Sequence, residues 1–136
     1  MKTVTMSILA VLLATPLLAE PIKPIVGQDG YMAYCAACHG NDGRGNGPEA
    51  ADLPTPPADL TQLAENNSGV FPFGDVIHTI DGRIPLKGHG GPMPIFGELF
   101  AEDFNSANAP YIGEEIIRGR ILALAYYLES IQELGI

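Results

Sequence analysis

The chain has 136 residues, 16 of them acidic and 7 basic, for a formal net charge of −9. Nucleic acid and anionic lipid surfaces bind through clustered lysine and arginine, so this balance excludes both as expected partners. With 16 glycines and 12 prolines, much of the chain must be loop. One domain with a modest apolar core is expected, and an internal cofactor would supply part of its stability.

The chain opens on Lys2, an apolar stretch from Val4 to Ala14, and then Thr15, Pro16, Leu17, Leu18 and Ala19. A basic start, apolar centre, helix breaker and small residue, in that order, make a secretory leader. Cleavage after Ala19 divides the chain into a leader, 1–19, and a single domain, 20–136, exported to the periplasm. Leu17 is bulkier than the small residue usual two places before a cut, which leaves an uncleaved anchor as the alternative. The apolar run falls short of the roughly 20 residues that span a bilayer, so the mature chain is expected to hold no transmembrane segment. Removing the leader takes away Lys2 and no acid, making the domain more acidic still.

Glu20 to Val26, with Pro21 and Pro24, reads as an extended lead-in. From Gly27 or Gln28 to Cys38, spacings of three and four place Tyr31, Tyr34, Cys35 and Cys38 on one helical face. Gly40, Gly43, Gly45, Gly47 and Pro48 stop that helix and let the backbone turn sharply or pass close to something flat. Residues 49–59 read as loop, after which Asp59 caps a short helix over Leu60, Leu63 and Ala64, ended by Asn66 to Gly69. Val76, Ile77 and Ile80 predict two helical turns over Asp75 to Asp81, with a short strand as the alternative. Prolines and glycines forbid long regular structure from Ile84 to Gly97, and Met93 lies among them between Pro92 and Pro94. A short helix is expected over Glu98 to Asp103. The clearest element is a helix over Ile112 to Ile131, with Ile117, Ile121, Leu124, Leu128 and Ile131 on one stripe and Glu114 and Glu115 in its first turn.

Cys35-Ala36-Ala37-Cys38-His39 is a C-x-x-C-H sequence, the attachment signature of c-type haem. At a helix end the two thiols reach the two vinyl positions on one porphyrin edge, and the next residue points its imidazole at the iron. The expected cofactor is one haem c per chain, covalently attached through Cys35 and Cys38, with His39 as an axial ligand. Other readings of the pair fit less well. A disulfide across two residues would barely restrain the unfolded chain, and a thioredoxin-like dithiol needs a preceding strand. Zinc could gather Cys35, Cys38, His78 and His89. For the second axial position Met93 is preferred, because the flanking prolines fix its backbone. Met32 lies on the motif's own side of the ring; His89, His78 and an open position stay as alternatives.

On these residues the chain resembles the soluble, single-haem class I cytochromes c of bacteria, over Gly27 to Ile131. Gly27 and Tyr31 look like the glycine and aromatic of that family's first helix, Cys35, Cys38, His39 and Gly40 match its attachment motif, and Met93-Pro94 resembles its distal-ligand loop. The resemblance implies an all-α, cytochrome c-like fold with helices packed around one covalently bound haem and the first and last helices crossing. It implies that the carbonyl of Pro48 accepts a hydrogen bond from His39. The chain has no tryptophan to hold a haem propionate, so Arg83 is the candidate for that charge.

The function so implied is one-electron transfer by a His/Met-ligated haem between a donor and an acceptor protein, carrying electrons without catalysis. The alternatives are a cytochrome subunit or dedicated electron acceptor of a periplasmic oxidoreductase, and a haem-based ligand-binding protein with a labile sixth site. A docking face of such a subunit would draw on Val70 to Phe73 and Ile95-Phe96, for which core packing is the plainer reading.

Overall fold

The computed structural model describes residues 26–84, 93–102 and 110–133, and every regular element among them is helical. The expected leader, the lead-in before Val26, and His89, Gly91 and Pro92 lie outside the described residues.

Helix α1 is Gln28–Tyr34 and α2 is Ala36–His39, where the periodicity predicts one continuous helix. The break falls on Cys35, at φ −117. Its N–H still bonds the carbonyl of Tyr31 at 2.8 Å, and its own carbonyl accepts from the N–H of His39 at 2.9 Å. The axis therefore bends with these backbone groups paired. Gly27 precedes α1 at φ +88, and a Cβ there would overlap the carbonyl of Ala123. Glycine meets both demands, the left-handed backbone and the close approach to the last helix.

Helix α3 is Phe73–Asp81, helix α4 is Phe96–Glu102 and helix α5 is Pro110–Ser130. Each begins two residues earlier than the apolar periodicity suggests. For α5 the reason is Pro110, whose fixed φ and missing N–H suit a first helical position; Glu114 and Glu115 consequently fall in the second turn. Helix α3 ends at Gly82 in the left-handed region, φ 68, whose N–H bonds the carbonyl of His78 at 3.0 Å. Three single 3-10 turns, Ala50–Asp52, Leu60–Gln62 and Glu65–Asn67, punctuate the long connection between α2 and α3. The expected cap at Asp59 is present, its carboxylate accepting from Thr61 N at 2.9 Å and Thr61 Oγ1 at 2.6 Å.

Helix α5 is the centre of the packing and touches α1, α3 and α4. Its stripe of Ile117, Ile121, Leu124 and Leu128, with Ala125 and Tyr127, buries against Tyr31 of α1, Val76 and Ile80 of α3, and Phe96 and Phe100 of α4. Each large apolar side chain so buried contributes about 1.5–3 kcal/mol. The Tyr31 and Tyr127 rings meet at 4.8 Å between centroids. Past α5 the chain stitches itself to the connection. The Gln132 side chain accepts from Ala64 N and donates to Leu60 O, both at 2.8 Å, and Glu133 N bonds Thr61 O at 2.9 Å. Among the described residues no helix is long and apolar enough to cross a membrane.

Candidate haem-attachment site

Cys35 and Cys38 lie at either end of the first turn of α2, half-buried and in no disulfide. Burial, and then the neighbouring Cys38, push the Cys35 thiol up to about 11. Cys38 is also raised, by desolvation and then by the Glu49 carboxylate, to which its Sγ donates at 3.8 Å. A redox dithiol needs a depressed thiol pKa, so the pair lacks the electrostatics of a thioredoxin-like site. Among the described residues no group of three or more Cys, His, Asp or Glu is gathered to hold a metal ion, so Cys35 and Cys38 do not form one with His78.

The imidazole of His39 is held from one side. Its Nδ1 stands 3.0 Å from the carbonyl oxygen of Ala58. A carbonyl only accepts, so Nδ1 carries the proton and Nε2 keeps its lone pair for a metal. This corrects the expectation that Pro48 supplies the acceptor. Gly47 N bonds Cys38 O at 3.0 Å and Glu49 N bonds Ala37 O at 2.9 Å, which fastens Pro48 to the backbone of the α2 turn. Leu60 N bonds Gly43 O at 2.7 Å and brings the chain after Pro57 to the ring instead. The Asp59 cap, immediately after Ala58, is the one local signal that this carbonyl is held in place.

Met93 lies three residues before α4, 38 % exposed, followed by the exposed Pro94 and Ile95. Met32 is exposed on α1 and His78 is exposed on α3. Of the apolar segments considered for docking, Val70 and Ile95 are exposed, Phe71 and Phe73 are half-buried and Phe96 is core.

Arg83 is engaged by two carboxylates. Its Nε and Nη2 donate to Asp81 at 2.7 and 2.8 Å, and its Nη1 and Nη2 donate to Glu114 at 2.8 and 3.1 Å. Arg118 Nε adds a third cationic contact, to Glu114 at 2.7 Å. These bonds raise the pKa of Arg83 further, hold Asp81 below its usual value and pull Glu114 down to about 2. The positive charge expected at a propionate is thus already matched by Asp81 and Glu114.

The profile of the family described as cytochrome C oxidase, cbb3-type, subunit III matches residues 24–109. The chain belongs to that family. The matched stretch takes in Cys35, Cys38, His39, Ala58, Arg83 and Met93, and stops just short of α5. No curated protein and no solved structure matches the chain. Membership in the cbb3-type subunit III family overturns the likeness to the soluble single-haem class I cytochromes c. Haem attachment demands the same C-x-x-C-H spacing in either setting, so the motif residues that carried the likeness could not discriminate between them. Membership also favours the cytochrome-subunit reading over the free carrier. The donor set fits haem c: two thiols outside any disulfide, and an imidazole whose protonated nitrogen is already bonded to the protein.

Proposed function

We propose that the chain is a haem c-bearing subunit of a cbb3-type cytochrome c oxidase, taking single electrons from a donor protein and passing them on within the complex, in the periplasm after loss of residues 1–19. The observation that carries this reading is the pairing of His39 Nδ1 with Ala58 O at 3.0 Å directly beside the free thiols of Cys35 and Cys38, within a stretch matched to the family of that subunit.

Haem would be held by thioethers from Cys35 and Cys38, by His39 Nε2 and by Met93, and when bound it supplies one-electron chemistry between two iron oxidation states. The protein does the rest. Ala58 holds the proton on Nδ1 and fixes the orientation of the ring, which leaves the Nε2 lone pair to bind iron. Leu60, Leu63, Phe71 and Ile77, half-buried against the core, are the apolar surface available to exclude water from the cofactor. Were His39 and Met93 both to hold the iron, the chain would need no substrate there and would serve the oxidase without catalysing its reaction.

Alkaline pyridine treatment of the protein, expressed with a haem-attachment system, should report one covalent haem per chain. A chain that stays haem-free ends the reading. A tagged chain expressed in its own cells should copurify with other oxidase subunits; a haem-loaded chain recovered without them would leave an electron carrier outside such a complex. Met93→Ala should abolish the weak sulfur-to-iron absorption of the oxidised form.

A further inference from the structure

Met93 lies at the surface, 38 % exposed. Met93, Pro94 and Ile95 are all exposed, and the first core residue after them is Phe96. The placement of the thioether therefore depends on how the two ends of its segment are anchored. The chain leaves α3 through Asp81, Gly82 and Arg83, and returns through Met93 into α4. These ends lie side by side. A Cβ on Gly82 would stand 3.3 Å from the Cα of Ile95, and a Cβ on the buried Gly97 would overlap Nε of Arg83.

At this junction a single guanidinium joins three helices. Arg83 takes Asp81, the last residue of α3, in two hydrogen bonds, takes Glu114 of α5 in two more, and lies over Gly97 of α4. The side chains of Asp81, Arg83 and Glu114 are only 22 %, 30 % and 36 % exposed. Paired N–H donors on planar carboxylates in a partly shielded setting are directional and rigid, unlike an ordinary surface ion pair.

We propose that Arg83, gripped by Asp81 and Glu114, is a positioning residue for Met93: it clamps together the two ends of the segment that presents the thioether and so sets how firmly sulfur stays on the iron. This rests on the reading of Met93 as the distal ligand. An added ligand such as imidazole binds only when the thioether is off, so its apparent affinity scales with the fraction of protein in that state. Loosening the clamp raises that fraction.

The experiment uses the haem-loaded chain and its variants Arg83→Gln, Arg83→Lys, Glu114→Gln, the Arg83→Gln/Glu114→Gln double and Met93→Ala. Imidazole titration and the sulfur-to-iron absorption are the readouts, with helical circular dichroism and covalent haem content as controls. Arg83→Gln and Glu114→Gln should each bind imidazole about tenfold tighter than the parent. The double variant should add little to Arg83→Gln, because the Arg83–Glu114 contact that Glu114→Gln removes is already gone there, and Arg83→Lys should fall between, since an ammonium cannot make the paired bonds. Glu114→Gln keeps the Arg83–Asp81 pair and serves as the test if Arg83→Gln does not fold. Unchanged imidazole affinity in the Arg83 and Glu114 variants, with a large increase in Met93→Ala, overturns the clamp and leaves Met93 as ligand. A parent that lacks the sulfur-to-iron absorption, with imidazole affinity unaltered by Met93→Ala, overturns the Met93 reading and the clamp with it.

Discussion

The hydroxyl of Tyr31 donates to the carbonyl of Gly40 at 2.7 Å, joining the middle of α1 to the residue that ends the candidate attachment turn, Cys35 to His39. Both residues are buried, and burial raises the phenol's pKa above its ordinary value. Gly40 O also accepts from Gly43 N at 3.2 Å, so it keeps one partner without the tyrosine. Tyr31→Phe retains the ring packed on Tyr127 and loses only the hydroxyl bond. It should cost about 1 kcal/mol, seen in urea unfolding as a lower midpoint at an unchanged slope. An unshifted midpoint would show that the bond contributes nothing.

Gly27→Ala should be much worse than its size suggests. The new methyl must adopt a left-handed backbone and also displace the Ala123 carbonyl of α5. Strain and overpacking together give a loss of about 3 kcal/mol, against a gain of up to about 1 kcal/mol for Gly119→Ala, an exposed position inside α5 where a Cβ meets nothing within 4 Å. Parallel denaturant curves for the two variants make the comparison, and equal losses would contradict it.

The Arg83 cluster makes stability depend on acid pH. Glu114 has its pKa lowered from 4.5 to about 2, chiefly by hydrogen bonds from Arg83 and then Arg118, and Asp81 is lowered by Arg83. A carboxylate depressed in the folded state binds its proton more readily when unfolded. Its stabilisation is therefore complete above pH 4.5 and is lost as pH falls toward 2. Melting of Glu114→Gln should lose less stability over this window than the parent does, and so should Arg83→Gln, because Asp81 then loses its arginine and Glu114 keeps only Arg118. Glu114 is partly exposed, so the difference should shrink in high salt.

Gln132→Leu tests the stitch after α5. It deprives Ala64 N and Leu60 O of their side-chain partner while leaving apolar bulk in place. Leaving these groups unpaired at a half-buried site should cost about 2 kcal/mol. Hydrogen exchange at Ala64 should quicken by more than at the core of α5; uniform quickening would mean the stitch only adds global stability.

Local chemistry was legible in the sequence, and contacts between distant segments were not. The α5 stripe from Ile117 to Leu128 is readable because helical periodicity repeats over many turns, and the Asp59 cap is readable because its partner is two residues away. The α1–α2 bend at Cys35 is not, since both halves keep helical spacing. The family resemblance implies Pro48, nine residues on, as the acceptor for His39, whereas the fold brings Ala58 to the ring through the Leu60–Gly43 backbone bond. No local pattern announces that Arg83 will meet Glu114, 31 residues away.

What the sequence determined by itself is the site's chemistry: two thiols and an imidazole in five consecutive residues, presented by a helical turn, a spacing that suits covalent attachment within a single turn. What only the tertiary structure decided is how those groups are held. The packing of α5 brings α1, α3 and α4 together, and the long connection folds back to place one carbonyl on His39 Nδ1. Such contacts depend on where the chain crosses itself in space, which burial of the whole apolar surface selects and a linear spacing cannot express.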